Sequence, residues 1–163
     1  MQFFPFTIKV CSMVTEVNLN IVENWLVELF GSRPISQFNF SPADLLGWSK
    51  LSEVNIVTTV IPRWDEFEEG AIEWGAEDFK SIVWDQAQNC PEDPSIFFVS
   101  DDVLKTKTAF EFKFKDFDEF VEFYEARFTT SFFQPLDYLI CLKECGEIII
   151  IYHEGKKISI NKS

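Results

Sequence analysis

Residues 138–160 read YLICLKECGEIIIIYHEGKKISI, three β-rich runs separated by two glycine turns. The runs 138–142, 147–153 and 156–160 are dominated by Ile, Leu and Tyr, which suit a pleated, half-buried surface, while Cys145–Gly146 and Glu154–Gly155 supply tight connections. Strands joined by so few residues run antiparallel, because a parallel return needs a crossover of about a dozen residues or more. The C-terminal third is therefore predicted to be a β-meander.

Immediately upstream the period changes. Phe110, Phe112 and Phe114 alternate with Glu111, Lys113 and Lys115, which predicts a strand over 107–115 with rings on one face and charges on the other. From Asp116 onward the apolar positions Phe117, Phe120, Val121, Tyr124 and Phe128 recur at helical spacing. Asp116 is expected to cap that helix, with Glu119 as its capping-box partner. A strand over 96–100 follows the turn-rich connector Cys90, Pro91, Asp93 and Pro94, and the pair Asp101 and Asp102 reads as a turn or helix cap.

Nearer the N-terminus, residues 6–14 have strand composition. Asn20 is expected to cap a helix reaching about Phe30, with Glu23 reaching back and with Val22, Trp25, Leu26, Leu29 and Phe30 on one face until Gly31 and Pro34 stop it. Ser41, Pro42 and Asp44 predict a short second helix. Residues 54–61 are β-branched and lack clean alternation, so they read as a central strand buried on both faces. Between 64 and 78, Gly70 and Gly75 oppose a continuous helix, and a loop is expected to lead into a helix over 76–88. No repeat, low-complexity tract or linker interrupts the 163 residues. The expected fold is a single α+β domain over 1–163, a mainly antiparallel sheet with three to four helices packed on one face.

The composition bounds the function. With 47% hydrophobic residues and 19 Phe the chain is rich enough in apolar side chains to build a core, unlike a disordered chain. The 27 acidic residues against 14 basic ones give a formal charge of -13, a field that disfavours direct nucleic acid and anionic membrane contacts and favours encounter with a basic partner. Residues 1–14 lack the basic start, continuous apolar run and cleavage site of a secretory signal, and the aliphatic run 148–151 is far shorter than the ~20 residues a membrane helix needs. A cytoplasmic protein is expected. Its scattered cysteines, Cys11, Cys90, Cys141 and Cys145, are expected to be reduced and mostly buried.

Candidate chemistry is sparse. His153 is the only histidine, and no nucleophile-elbow or cysteine-protease signature surrounds Cys11, Cys90 or a serine. Cys141, Cys145 and His153 are three potential zinc ligands, but the spacing lacks the two-residue knuckle of structural zinc sites. The six glycines form no phosphate-binding loop. No catalytic residue, metal or cofactor is therefore expected.

One segment stands out. Asp65, Glu66, Glu68, Glu69, Glu73, Glu77 and Asp78 crowd a stretch that also carries Trp64, Phe67 and Trp74. A contiguous acidic run is usually a solvated face, and rings at such spacing can simply anchor a loop on the core. Interfaces nonetheless draw energy from a few aromatic anchors while charges set rate and partner choice, so Trp64, Trp74 and the seven carboxylates are the expected partner-binding residues. The corresponding functional expectation is a non-enzymatic, acidic, bacterial inhibitor of the immunity type that occludes a basic partner such as a nuclease toxin. The alternatives are a small hydrolase or transferase using His153, or a structural or adaptor subunit.

Overall fold

A computed structural model of the chain describes residues 13–30, 54–100, 107–132, 134 and 137–162. Among them, seven strands form one sheet: β1 (Thr15–Asn18), β2 (Val54–Val60), β3 (Ser95–Ser100), β4 (Thr108–Lys113), β5 (Tyr138–Leu142), β6 (Glu147–Tyr152) and β7 (Lys156–Lys162). Their spatial order is β1-β4-β3-β5-β6-β7-β2, and every neighbouring pair is antiparallel. Four helices accompany the sheet: α1 (Leu19–Phe30), α2 (Trp64–Glu68), α3 (Ala76–Gln88) and α4 (Phe117–Phe128). This is the expected α+β architecture, and β5 to β7 are the expected meander.

Side-chain alternation sorts the helices between the two faces. Phe97 and Phe98 are adjacent in β3 and so point to opposite sides. Phe98 shares its face with its register partners Phe110 and Ile140, and α4 packs there: Phe120 lies 4.9 Å from Phe98 and stacks on Phe112 at 4.0 Å. Phe79 of α3 joins this cluster through Phe117, Phe132 and Tyr138. Phe97 faces the other way and meets Trp25 of α1 edge-on at 6.1 Å. Three helices thus share one face, as expected, whereas α1 covers the opposite one, because β6 and the centre of the sheet are apolar on both sides: Ile148, Ile149 and Ile150 are all fully buried. A sheet with two apolar faces needs cover on both.

Many of the described phenylalanines pack on the first face. Phe98, Phe110, Phe117, Phe120 and Phe132 are at most 1% exposed, and burying each ring contributes roughly 1.5–3 kcal/mol before packing is counted. Tyr124 is buried among them with its hydroxyl 2.9 Å from Ser100 Oγ, so its polar tip is satisfied inside the core.

Several local expectations are corrected. Among the described residues, 54–60 do not form a central strand: β2 is the last strand in the sheet order, pairs with β7, and leaves Val57 57% and Val60 76% exposed. Its mixture of Val, Ile, Thr and Asn, without polar alternation, reflects an open strand and not a doubly buried one. Helix α1 begins at Leu19, and Asn18, not Asn20, provides the side-chain cap by accepting the Asn20 N–H at 3.0 Å. Asp116 precedes α4 without a side-chain cap hydrogen bond, because a 3-10 turn over Phe114–Asp116 leads into the helix and Asp116 lacks the extended backbone a capping side chain needs. Cys90 and Cys145 are joined in a disulfide, contrary to the expectation of free thiols, since the end of α3 comes down beside the β5–β6 turn and brings their Cα atoms to 5.2 Å. Cys141 is free and buried. No helix among the described residues is long and apolar enough to cross a membrane. The strand expected over 6–14 does not include Met13 and Val14, since β1 begins at Thr15; its residues 6–12, the expected helix at 41–49, the Asp101 and Asp102 pair, and Cys11 lie outside the described residues.

Candidate functional site

The acidic segment is built on a rigid aromatic plug. Ile61 donates its N–H to the Gly155 carbonyl at 2.8 Å, tying the end of β2 to the β6–β7 turn. Arg63 then takes a left-handed conformation and turns the chain into the five-residue helix α2. Gly70, also left-handed, closes that helix, with Ala71 N–H returning to the Glu66 carbonyl at 2.8 Å. Gly75 and Asp78 start α3 reciprocally: the Asp78 carboxylate accepts the Gly75 N–H at 2.8 Å, and Asp78 N–H donates to the Gly75 carbonyl at 3.2 Å.

Beneath this loop Trp64, Phe67 and Trp74 interlock. Phe67 and Trp74 stack at 4.6 Å, and Trp64 meets both edge-on at 5.4 Å. Trp64 Nε1–H donates to the His153 carbonyl at 3.2 Å, which anchors the plug to the sheet. Trp64 is 4% exposed and Trp74 is half-buried. Trp64 therefore presents no ring to a partner. It was expected at the surface beside the carboxylates, but the helical turn that aims Asp65 and Glu66 outward aims Trp64 and Phe67 inward.

The carboxylates take the outer side. Asp65, Glu66, Glu68, Glu69, Glu73, Glu77 and Asp78 are all exposed, on one loop–helix–loop unit. Two cations temper the patch: Arg63 pairs with Glu66 at 2.5 Å, and Lys80 pairs with Glu77 at 3.0 Å and Asp118 at 3.4 Å. The hydrogen bond that Lys80 donates to Glu77, opposed by desolvation and aided by Asp118, holds its ammonium above its ordinary pKa. Asp78 is committed to the start of α3. Asp65, Glu68, Glu69 and Glu73 form the outward edge of the patch.

The His153 chemistry comes apart in space. Its Nδ1 lies 2.9 Å from Asp137 Oδ1, and its backbone N–H donates to the same oxygen at 2.7 Å, so the ring is oriented by a carboxylate at the β6–β7 turn. Cys145 sits at the other end of β6, about 20 Å away at the rise of an extended strand, and is locked to Cys90. Cys141 lies in β5 opposite Ile148 on the face covered by α1, and burial pushes its thiol pKa far up. The three potential ligands do not converge, and among the described residues no group of three or more His, Cys, Asp or Glu side chains is placed to hold a metal.

A second polar feature escaped the sequence reading. A cleft of about 280 Å³ opens between the C-terminal half of α3 and strands β6, β7 and β2, with Gln86, Glu147, Lys157 and Asn161 among its lining residues. The signal was present in the alternation of β7, where Lys157, Ser159 and Asn161 share one face and Ile158 and Ile160 the other, and in the single acid heading the isoleucine run of β6. What could not be read was that β2 and α3 would meet across that face.

No family model, characterised protein or solved structure matches the chain.

Proposed function

We propose that the protein is a non-enzymatic, acidic binding domain that occludes a basic surface on another protein, in the manner of an immunity-type inhibitor of a nuclease toxin. The observation that carries this reading is the outward edge formed by Asp65, Glu68, Glu69 and Glu73 on a loop whose position is held by the Trp64–Phe67–Trp74 plug. Charges on a braced loop lose little conformational freedom on binding, and a coherent negative patch raises the encounter rate with a cationic partner. A phosphate-binding cleft is the natural counterpart, since carboxylates on such a loop can stand where phosphates would.

The half-buried Trp74 supplies what apolar contact the patch offers, so affinity rests more on charge than a tryptophan-anchored interface would. The test is affinity capture from the native host with the wild-type chain and with a D65N/E66Q/E68Q/E69Q variant of unchanged melting temperature. The reading expects one basic protein retained by the wild type and lost from the variant. Equal retention of the same protein by both, or capture only of acidic proteins, would overturn it.

A further inference from the structure

The cleft behind α3 is distinct from the acidic patch, and its chemistry can be read from what its side chains leave unspent. Across β2, β7 and β6 a polar ladder runs inward: Asn55 Nδ2 donates to Asn161 Oδ1 at 3.3 Å, and Asn161 Nδ2 donates to both carboxylate oxygens of Glu147 at 3.2 and 3.3 Å. Glu147 is only 7% exposed. A single amide donor shared between two oxygens at these lengths leaves most of that carboxylate's acceptor capacity available.

Helix α3 contributes the opposite wall. Gln86 Oε1 is buried and lacks a hydrogen-bond partner, a costly arrangement for an amide oxygen unless something donates to it. Asp85, one residue earlier, is exposed at the mouth. Lys157 is the cation of the cleft, and its ammonium is already engaged, donating to the Ile82 carbonyl. That bond uses one of its three N–H donors, and its charge is shared between Asp85 and Glu147, so two carboxylates and the orphaned Gln86 oxygen face a single ammonium and acceptors outnumber the cations of the cleft.

We infer that this cleft is a binding site for a guanidinium group, whose planar fork of donors would span the Glu147 carboxylate and Gln86 Oε1 while Asp85 screens the mouth. Guanidinium fits better than ammonium because its five N–H groups lie in one plane and satisfy a carboxylate two at a time, and because it is weakly hydrated and so more readily taken out of water. The volume, just under the usual range for drug-sized ligands, suits one side chain or one small molecule. Burial raises the Glu147 pKa against the pull of Asn161 and Lys157, and a bound cation would relieve that penalty. The assignment stands apart from the acidic patch, since none of its residues lies between 65 and 78.

The same chemistry can arrive free or on a polypeptide. The test titrates the full chain with agmatine, with acetyl-Gly-Arg-Gly-amide and with the peptide carrying citrulline in place of arginine, followed by amide chemical shifts. Saturable binding of a guanidinium probe is expected, weakened at least tenfold by citrulline and by Glu147→Gln. Comparable affinity for agmatine and the Arg peptide would assign a free small molecule, and clear preference for the peptide a protein-borne arginine. Gln86→Leu, which keeps the shape of the side chain and removes the acceptor, provides a second variant should Glu147→Gln alter folding. Lack of saturable binding by both guanidinium probes, or affinities unchanged in both folded variants, would overturn the assignment.

Discussion

Trp64 occupies the space above Gly155 so closely that a Cβ placed on that glycine would come 2.5 Å from Cγ of the indole. Gly155 also has a φ of +87°, a conformation that side-chain-bearing residues rarely adopt. Backbone strain and overpacking therefore coincide, and Gly155→Ala is expected to destabilise the fold by about 2–4 kcal/mol. Chemical denaturation with tryptophan fluorescence measures it, and a change below about 1 kcal/mol would mean that the plug is not seated on the turn as described.

The Cys90–Cys145 bridge closes a separation of 55 residues between the end of α3 and the β5–β6 turn. Such a closure limits the unfolded chain, so reduction should cost about 2–4 kcal/mol. Denaturant midpoints with and without reductant test this. Mass spectrometry after alkylation without reduction should find Cys141 unmodified in the native protein and labelled once the chain is unfolded, because its thiol is buried.

Thr129 ends α4 in the left-handed region, with φ 53° and ψ 43°, where a β-branched residue is strained and glycine is not. It is exposed, so nothing is lost from the core on its replacement. Thr129→Gly is expected to stabilise the protein by roughly 0.5–1 kcal/mol, less than the strain relieved because glycine adds freedom to the unfolded chain. A lower melting temperature in the variant would contradict this description of the helix end.

Glu147 carries a pH signature. Burial first, moderated by the Asn161 hydrogen bond and Lys157, raises its folded-state pKa above that of an unfolded glutamate. Between the unfolded and folded values the native chain holds the extra proton, so this group's contribution is greatest below the unfolded pKa and is lost as pH rises through the folded one. Glu147→Gln removes that dependence. The stability of the variant relative to the wild type should therefore increase as pH rises from about 4 to 7. Parallel pH profiles from denaturant titrations would show that Glu147 is not held in the cleft as found.

Much of the architecture was legible because it is local. The meander follows from three β-rich runs and two glycine turns, the strand–helix switch at 113–117 from a change of period, and the start of α3 from the glycines at 70 and 75 that oppose a helix before it. Strand order was not legible: Val54–Val60 carries no mark that it will pair with β7 at the end of the sheet, since its partners lie far along the chain, 106 residues away for Asn55 and Asn161. The same holds for Cys90 and Cys145, whose meeting depends on where α3 ends in space. At the acidic segment, the charge content was plain from the sequence, but the direction of each ring was not. A five-residue helix puts Trp64 and Phe67 on one side and Asp65, Glu66 and Glu68 on the other, and Gly70 and Gly75 had obscured that helix. The Glu147 cleft needed two faces to meet, which no single run of residues records.

The proposal of a charge-steered inhibitor is tested most directly by the association rate of the captured basic partner, measured by stopped flow at about 50 and 300 mM salt against the wild type and the D65N/E66Q/E68Q/E69Q variant. The wild-type rate should fall by about tenfold or more across that range, and the variant should associate more slowly with a visibly shallower salt dependence. Equal rates and equal salt dependence for the two proteins would remove the Asp65 to Asp78 segment from the interface.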